Sequence, residues 1–409
     1  MKRNILKNIS LASIERILQL GISLLLIKII AKYLSPEQFG GYQYALAIIS
    51  IASAISWVLP LESVYSQLNT KKEIPSKIFA ASFWLRFLIS TVVYIGLFVG
   101  LLLIKSPFNF ESYLIAILGL SIIHIESSGL LRFQLEAKGY FRQLSMWRIT
   151  SAIIKVILFY LLILGEINPL LVLSLIPLEQ LLNSFVYFIY IKKININIFK
   201  KIHVPFPKIK NLISRGLKYW IGLILMYGFL KFDKIFLSHK ININEFANFS
   251  AASNLNDQLI TFFTIMIGSI APIAIYSQAT KNVHATIKKI MFFAIPTSIA
   301  VTVFLSFISP LIIKIIFSDK YLDAINIFNY YLIIFPLVTV DLLLSIFMYK
   351  LHLDNIFLIK WISAFIINVI ITIILFPSLG YYAALIGNAA GYSINILIGF
   401  YIFNRQGKS

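Results

Sequence analysis

The sequence predicts an all-α polytopic membrane protein of about twelve transmembrane helices in two six-helix lobes. Three observations carry that expectation. The 409 residues are 59% hydrophobic and only 13% charged, with a mean hydropathy of +0.87, whereas soluble domains are about a quarter charged. Apolar runs of about 18 residues or more recur along the chain, each long enough to cross a hydrocarbon core ~30 Å thick as a helix. A β-barrel, with shorter alternating strands, is excluded by that length. Finally, a basic connector (KKININIFKKIHVPFPKIKNLISRGLK, Lys192 to Lys218) divides the chain and carries no acidic residue. Clustered cations attract phosphates, but between apolar spans such a loop is held at the cytoplasmic face. The expected organisation is a lobe over 1–195, a connector over 196–213 and a lobe over 214–409.

The predicted spans are roughly 10–32, 42–66, 78–104, 112–131, 146–165, 169–191, 214–237, 247–276, 286–309, 321–349, 356–376 and 382–403. Turn residues separate them at Leu34-Ser35-Pro36-Glu37, Lys105-Ser106-Pro107, Gly165-Glu166-Ile167-Asn168-Pro169 and Phe376-Pro377-Ser378-Leu379-Gly380. The opening MKRNILKN imitates a signal peptide, but its apolar run continues to about Ile30 and has no small-x-small cleavage site, so it is read as a first span.

Charge orients the bundle. With the N-terminus inside, the tails and even-numbered connections hold Lys2, Arg3, Lys7, Lys71, Lys72, Lys77, Arg132, Lys138, Arg142 and Arg148, the eight connector cations, and Lys281, Lys288, Lys289, Lys350, Lys360, Arg405 and Lys408. The opposite side holds Lys32, Lys105, Lys234, Lys240, Lys314 and Lys320. A bias of roughly four to one places both termini in the cytoplasm. The net charge of +20 is therefore a topology signal, and no nucleic-acid partner is implied. Ile-, Lys- and Asn-rich usage fits an AT-rich bacterial coding sequence, which points to a bacterial cytoplasmic membrane.

A repeat accompanies this division. Glu37-Gln38-Phe39-Gly40-Gly41-Tyr42-Gln43-Tyr44-Ala45 follows the first span, and Asn244-Glu245-Phe246-Ala247-Asn248-Phe249-Ser250-Ala251-Ala252 follows the seventh, at an offset of 207. Both copies start a span from the same side, which predicts a parallel six-plus-six repeat of the kind transporters use.

Several spans carry polar stripes, because residues 3, 4, 7 and 11 apart share a helix face. Span 8 has Ser250, Ser253, Asn254, Asp257, Thr261, Thr264, Gly268 and Pro272 in one arc, and span 2 has Ser50, Ser53, Trp57, Pro60, Ser63 and Gln67. Shorter stripes are Ser121, His124, Ser128 and Arg132; Arg148, Ser151 and Lys155; Gly216, Trp220, Tyr227, Lys231 and Lys234; and Asn388, Gly391, Tyr392 and Asn395. Isolated Ser and Gly serve close helix packing. Span-length stripes containing an Asp predict a polar cavity, with Ser53, Asn254, Tyr227 and Asn388 among its lining.

Charges inside spans cost roughly 2.5–3.5 kcal/mol each, so they are seldom accidental. The cations are Arg16, Lys28, Arg86, Lys155 and Lys231, and the anions Glu15, Glu62, Glu126, Glu179, Asp257 and Asp341. Lys28, near its span's end, snorkels. Arg16, Arg86, Lys155 and Lys231 are candidates for binding an anionic head group, since a guanidinium fork matches phosphate oxygens; internal ion pairing is the alternative. Asp257, Glu179 and Asp341 are the candidates if an ion is coupled. The chain has no cysteine, no GxGxxG, P-loop, HExxH or GxSxG pattern, and five scattered histidines. No metal, cofactor or catalytic site is predicted, and His124 is expected to be a hydrogen-bonded interior histidine.

Three stretches resemble the polysaccharide (O-antigen) flippases of the multidrug/oligosaccharidyl-lipid/polysaccharide exporter superfamily. They are Glu15-Arg16-Ile17 with Ala31-Lys32-Tyr33-Leu34-Ser35-Pro36-Glu37-Gln38-Phe39-Gly40-Gly41-Tyr42; Arg215-Gly216-Leu217-Lys218-Tyr219-Trp220 with Phe232-Asp233-Lys234-Ile235-Phe236-Leu237; and Asn368 with Phe376-Pro377-Ser378-Leu379-Gly380-Tyr381-Tyr382-Ala383-Ala384-Leu385-Ile386-Gly387-Asn388. Ser35 stands where the family often has Gly, and Asn388 where a small hydroxylated residue is usual. The resemblance implies a fold like that of the multidrug and toxin exporters and no enzymatic activity. It implies outward flipping of an undecaprenyl-pyrophosphate-linked O-antigen or capsule repeat unit by alternating access. It also implies polymerase and chain-length proteins of the same pathway as partners. A cation-coupled drug antiporter of the same superfamily would want a mainly acidic lumen. A membrane glycan polymerase would want a large external loop, and an envelope scaffold would not need intramembrane charge.

Overall fold

The structure, a computed structural model, describes residues 2–58, 76–103, 110–194, 206–271, 275, 280–351 and 353–406. Glu62, Pro60, Ser63, Gln67, Pro272 and connector residues 195–205 lie outside the described residues. The described chain is helical: α1 (Lys2–Tyr33), α2 (Pro36–Ser56), α3 (Ser76–Leu103), α4 (Phe110–Leu135), α5 (Phe141–Leu164), α6 (Pro169–Lys193), α7 (Phe206–Leu237), α8 (Ile243–Ala271), α9 (Thr280–Phe317), α10 (Ala324–Lys350), α11 (Asp354–Leu379) and α12 (Tyr382–Gln406). The expectation of about twelve spans is met. Among the described residues, nine of these helices (all but α1, α7 and α8) are long and apolar enough to cross a membrane. The other three carry more polar residues, and α8 buries Asn248, Ser250, Ser253, Asn254 and Asn256.

Helix starts follow the turn chemistry. At α2, the Ser35 hydroxyl accepts from the Gln38 amide while the Gln38 side chain accepts from the Ser35 amide, each at 3.2 Å, a reciprocal capping box ahead of Pro36. At α8, 207 residues on, Asn242 Oδ1 accepts from the Glu245 amide at 2.9 Å. The sequence repeat is thus a repeat of helix caps. The two copies also touch, because a Cβ on Gly40 would lie 3.1 Å from the Phe246 ring. Asn168 caps α6 by accepting from the Leu170 amide at 2.9 Å.

Two compact units result: Met1–Gln43 with Gly228–Ser409, and Tyr44–Tyr227. This grouping differs from the expected halves, for reasons visible in the packing. α1 packs on α8 and α9, with Gln258 Nε2 donating to Ser23 Oγ at 3.2 Å. The first part of α7 packs on α2 instead: Trp220 Nε1 donates to the carbonyls of Ala54 (3.3 Å) and Ile55 (3.1 Å), beside Val58 and Ile213.

In the first unit α10 is the hub, largely buried and packed against α8, α9 and α12. Gly387 and Gly391 of α12 let α11 approach, since a Cβ at 391 would overlap the Phe229 ring and meet the Ala364 carbonyl oxygen at 3.1 Å. In the second unit α4 is the hub, lying against α3 and α6. Phe79, Phe83, Leu130, Leu131, Leu135, Leu144, Tyr187 and Ile191 form its core. The outward faces are apolar, as at Val92 (67% exposed) and Phe307 (80% exposed). In water such surfaces would be a liability. Facing lipid they are expected, and every helix satisfies its own backbone there.

Candidate functional site

Inside the Tyr44–Tyr227 unit lies a cavity of about 460 Å³. Its wall is built from four helices and the residue after α2: Trp57; Arg86 of α3; Ile125, Glu126, Ser128, Gly129 and Arg132 of α4; Arg148 of α5; and Gln180, Asn183, Ser184 and Tyr187 of α6. The α4 and α6 contributions recur every three or four residues, so each helix presents one polar face inward. Arg86 is 3% exposed and its Nη1 donates to the Glu126 backbone carbonyl at 3.1 Å. Arg148 is 7% exposed and its Nη1 lies 3.1 Å from Glu136 Oε1. Among the described residues, three guanidinium groups and one carboxylate thus line one space. Its size falls in the ~300–1,000 Å³ range of small-molecule sites, and the cationic excess suits an anion.

Hydrogen bonds fix the wall. Ser184 Oγ donates to Ser128 Oγ at 2.9 Å, and His124 Nδ1 lies 3.0 Å from Ser184 Oγ. His124 is therefore a hydrogen-bonded interior residue, as the sequence led us to expect. Beside it, Glu179 Oε1 accepts from Ser151 Oγ (2.9 Å) and Asn183 Nδ2 (2.8 Å), and Glu179 Oε2 meets Lys155 Nζ at 3.1 Å. This ties α5 to α6 and orients Asn183 at the cavity wall.

The other unit holds a compact polar cluster around a water-sized space of about 20 Å³. Asp257 Oδ2 is bridged by Lys231 Nζ (2.7 Å) and Lys234 Nζ (3.2 Å). Asp233, 2% exposed, accepts from the Tyr331 hydroxyl (2.8 Å) and Asn388 Nδ2 (3.2 Å) through Oδ2, and from the Lys234 amide (2.7 Å) through Oδ1. Asn368 Nδ2 donates onward to Asn388 Oδ1 at 3.1 Å. Two aspartates and two lysines cancel in charge, which is how buried ions are tolerated. A further ion pair lies in the same unit: Asp341 Oδ1 and Lys360 Nζ are 2.6 Å apart.

Of the four cations singled out for an anionic head group, Arg86 lines the large cavity. Lys155 is committed to Glu179 and Lys231 to Asp257, and Arg16 is exposed on α1 in the other unit. The cavity's remaining cations are Arg132 and Arg148. Sequence reasoning counted both among the connection charges while also aligning each on a polar helix stripe, and Arg148 sits two turns inside α5. Among the polar residues, Tyr227 backs Trp57 edge-to-face at 5.4 Å and Ser53 is half-buried on α2. Asn254 is buried, donating to Gln43 Oε1 at 3.4 Å, and Asn388 holds Asp233. The three candidates for ion coupling, Asp257, Glu179 and Asp341, each face a lysine. Sequence reasoning missed Gln180, Asn183, Ser184 and Tyr187, whose 3-4-7 spacing was there to be read. It also passed over Asp233, visible only as part of a motif.

Twelve helices, nine of them among the described residues long and apolar enough to cross a membrane, define a polytopic membrane protein, and one of its two units holds a cavity lined by arginines, hydroxyls and amides. The family model described as polysaccharide biosynthesis protein matches residues 29–326, and the chain belongs to that family. This bears out the resemblance read from the three sequence stretches. Among solved structures, the chain is similar to an inward-facing multidrug resistance MATE family transporter of the MOP superfamily (14% identity, TM-score 0.73, covering 97% of this chain and 99% of that one). It is also similar to the lipid II flippase MurJ in an inward closed conformation (15%, 0.69, 98% and 90%). A third likeness is to a MOP superfamily transporter from Pyrococcus furiosus whose binding pocket is described as reversed in polarity (14%, 0.64, 99% and 97%). These likenesses establish the fold. No curated protein matches the sequence significantly.

Proposed function

We propose that the protein is a flippase that carries an undecaprenyl-pyrophosphate-linked oligosaccharide, an O-antigen or capsule repeat unit, from the cytoplasmic to the outer leaflet of a bacterial inner membrane by alternating access. One observation carries the reading: Arg86, Arg132 and Arg148 converge on one cavity whose other polar lining groups, among the described residues, are neutral apart from Glu126. The arginine forks replace hydration lost by the diphosphate. Ser128, Gln180, Asn183 and Ser184 offer donors and acceptors to sugar hydroxyls, and Trp57 and Tyr187 offer flat amphipathic rings. The prenyl tail stays in lipid. Family membership and the likeness to a lipid II flippase support this reading, as does the misfit of three arginines with a cationic drug.

No phosphate-hydrolysing motif is needed for direction. Moving negative charge outward is favoured by an inside-negative potential at roughly 2.3 kcal/mol per charge per 100 mV. Asp257, Glu179 and Asp341 would couple an ion only by letting it displace a tethered ammonium. The test is export of surface glycan in cells that depend on this protein, with Arg86→Gln and Arg148→Gln matched to wild type in membrane level. Loss of export in both variants is expected. Normal export in both would remove the diphosphate reading.

A further inference from the structure

Glu136 is not part of the cavity wall, yet it holds two of the three arginines that are. Its Oε1 lies 3.1 Å from Arg148 Nη1 and 3.7 Å from Arg132 Nε, and its side chain is 24% exposed. It is the first residue of a five-residue π-helical turn, Glu136–Tyr140, that joins α4 to α5. In that turn Gly139 has φ +95°, a conformation open to glycine and costly for other residues. One carboxylate oxygen therefore pins the last turn of α4 to the interior of α5 across a kink.

We infer that Glu136 is the resident counter-ion of the cavity, and that a bound diphosphate displaces it from Arg132 and Arg148. The inference rests on the diphosphate reading of the cavity. A diphosphate brings more charge and more acceptor oxygens than one carboxylate, and guanidinium forks bind such oxygens bidentately. The two anions compete for the same guanidinium groups, since a carboxylate and a diphosphate held side by side repel each other. Occupation of the cavity then frees the α4–α5 corner, and departure of the head group re-forms the clamp. Glu136 thereby weakens binding of the loaded state. That suits a carrier, which must release what it binds; a ligand shifts a conformational equilibrium only by its differential affinity for the two states.

The test is binding to the purified full-length protein in detergent by titration calorimetry, with two probes, inorganic pyrophosphate and farnesyl diphosphate. Glu136→Gln is expected to bind both about tenfold more tightly than wild type, a gain worth about 1.4 kcal/mol, while Glu136→Asp stays near wild type. In an Arg148→Gln background the same change should gain less than about threefold, since the competition runs through that arginine. A gain with farnesyl diphosphate alone also supports the displacement, with a lipid-borne head group as its agent. An affinity of Glu136→Gln within twofold of wild type, or weaker, with an unchanged melting temperature, overturns it. Failure of wild type to bind either probe is a different result: it removes the diphosphate reading itself, and with it the displacement.

Discussion

Asp341 on α10 and Lys360 on α11 allow a clean decision between structure and chemistry. Their side chains are 4% and 0% exposed and 2.6 Å apart. The ammonium also donates to Ser345 Oγ at 2.6 Å and sits 5.0 Å from the centre of the Trp361 ring. Deleting one member leaves the other as a bare charge in the interior, which costs about 3–5 kcal/mol. Replacing both by apolar residues of similar size removes that penalty and is often neutral. We therefore expect Asp341→Leu and Lys360→Met each to lower stability by about 3–5 kcal/mol, and the double variant to return to within about 1–2 kcal/mol of wild type. Reversible unfolding in mixed micelles, followed by tryptophan fluorescence, gives all four corners of the cycle. Singles that each cost under about 1 kcal/mol would refute the reasoning, as would a double variant as unstable as either single. A stable double variant that no longer transports would instead give the Asp341–Lys360 pair a role in transport beyond stability.

Asp257→Asn removes the carboxylate that bridges Lys231 and the buried Lys234 and leaves Asp233 to balance two ammonium groups; its melting temperature should fall, and Lys231→Gln in the same chain should recover part of the loss. Gly391→Leu drives a side chain into Phe229 and the Ala364 carbonyl, and should reduce folded protein on size-exclusion chromatography, whereas Gly96→Leu, whose Cβ meets nothing within 4 Å, should not. Ser35→Ala and Asn242→Ala each remove a helix cap and should cost about 1 kcal/mol in the same unfolding assay. Because the coupling candidates already face lysines, glycan flipping in proteoliposomes should persist without a sodium gradient and respond to an imposed potential.

Much of the fold was legible because it is written locally. The Ser35–Gln38 capping box and the Asn242–Glu245 cap sit in contiguous sequence, and the apolar run lengths set the helix number directly. The cavity was legible in part. Ser128 with Arg132, and Arg148 with Ser151, were aligned by helical period, and Arg86 stood out as an intramembrane charge. What the sequence hid is rotation and partnership. Lys155 finds Glu179 at 24 residues' separation and Lys231 finds Asp257 at 26. No spacing rule links positions on separate helices. Arg148 entered the connection count although the predicted span 146–165 already held it near its start; the helix begins earlier, at Phe141, which carries Arg148 two turns inside. The grouping of α1 with α8 and α9 was equally invisible, since it depends on contacts between helices more than 200 residues apart.

The central claim is that Arg86 and Arg148 bind the head group of a flipped glycolipid. The most direct measurement is leaflet-to-leaflet transfer of a fluorescent prenyl-diphosphate oligosaccharide in proteoliposomes holding wild type or the Arg86→Gln/Arg148→Gln double variant. Charge-assisted hydrogen bonds are worth about 1.5–3 kcal/mol each, so transfer by the double variant should fall at least tenfold at an imposed potential, with its melting temperature retained. Equal transfer by the two proteins, or wild-type transport of a lipophilic cation with none of the glycolipid, would contradict it.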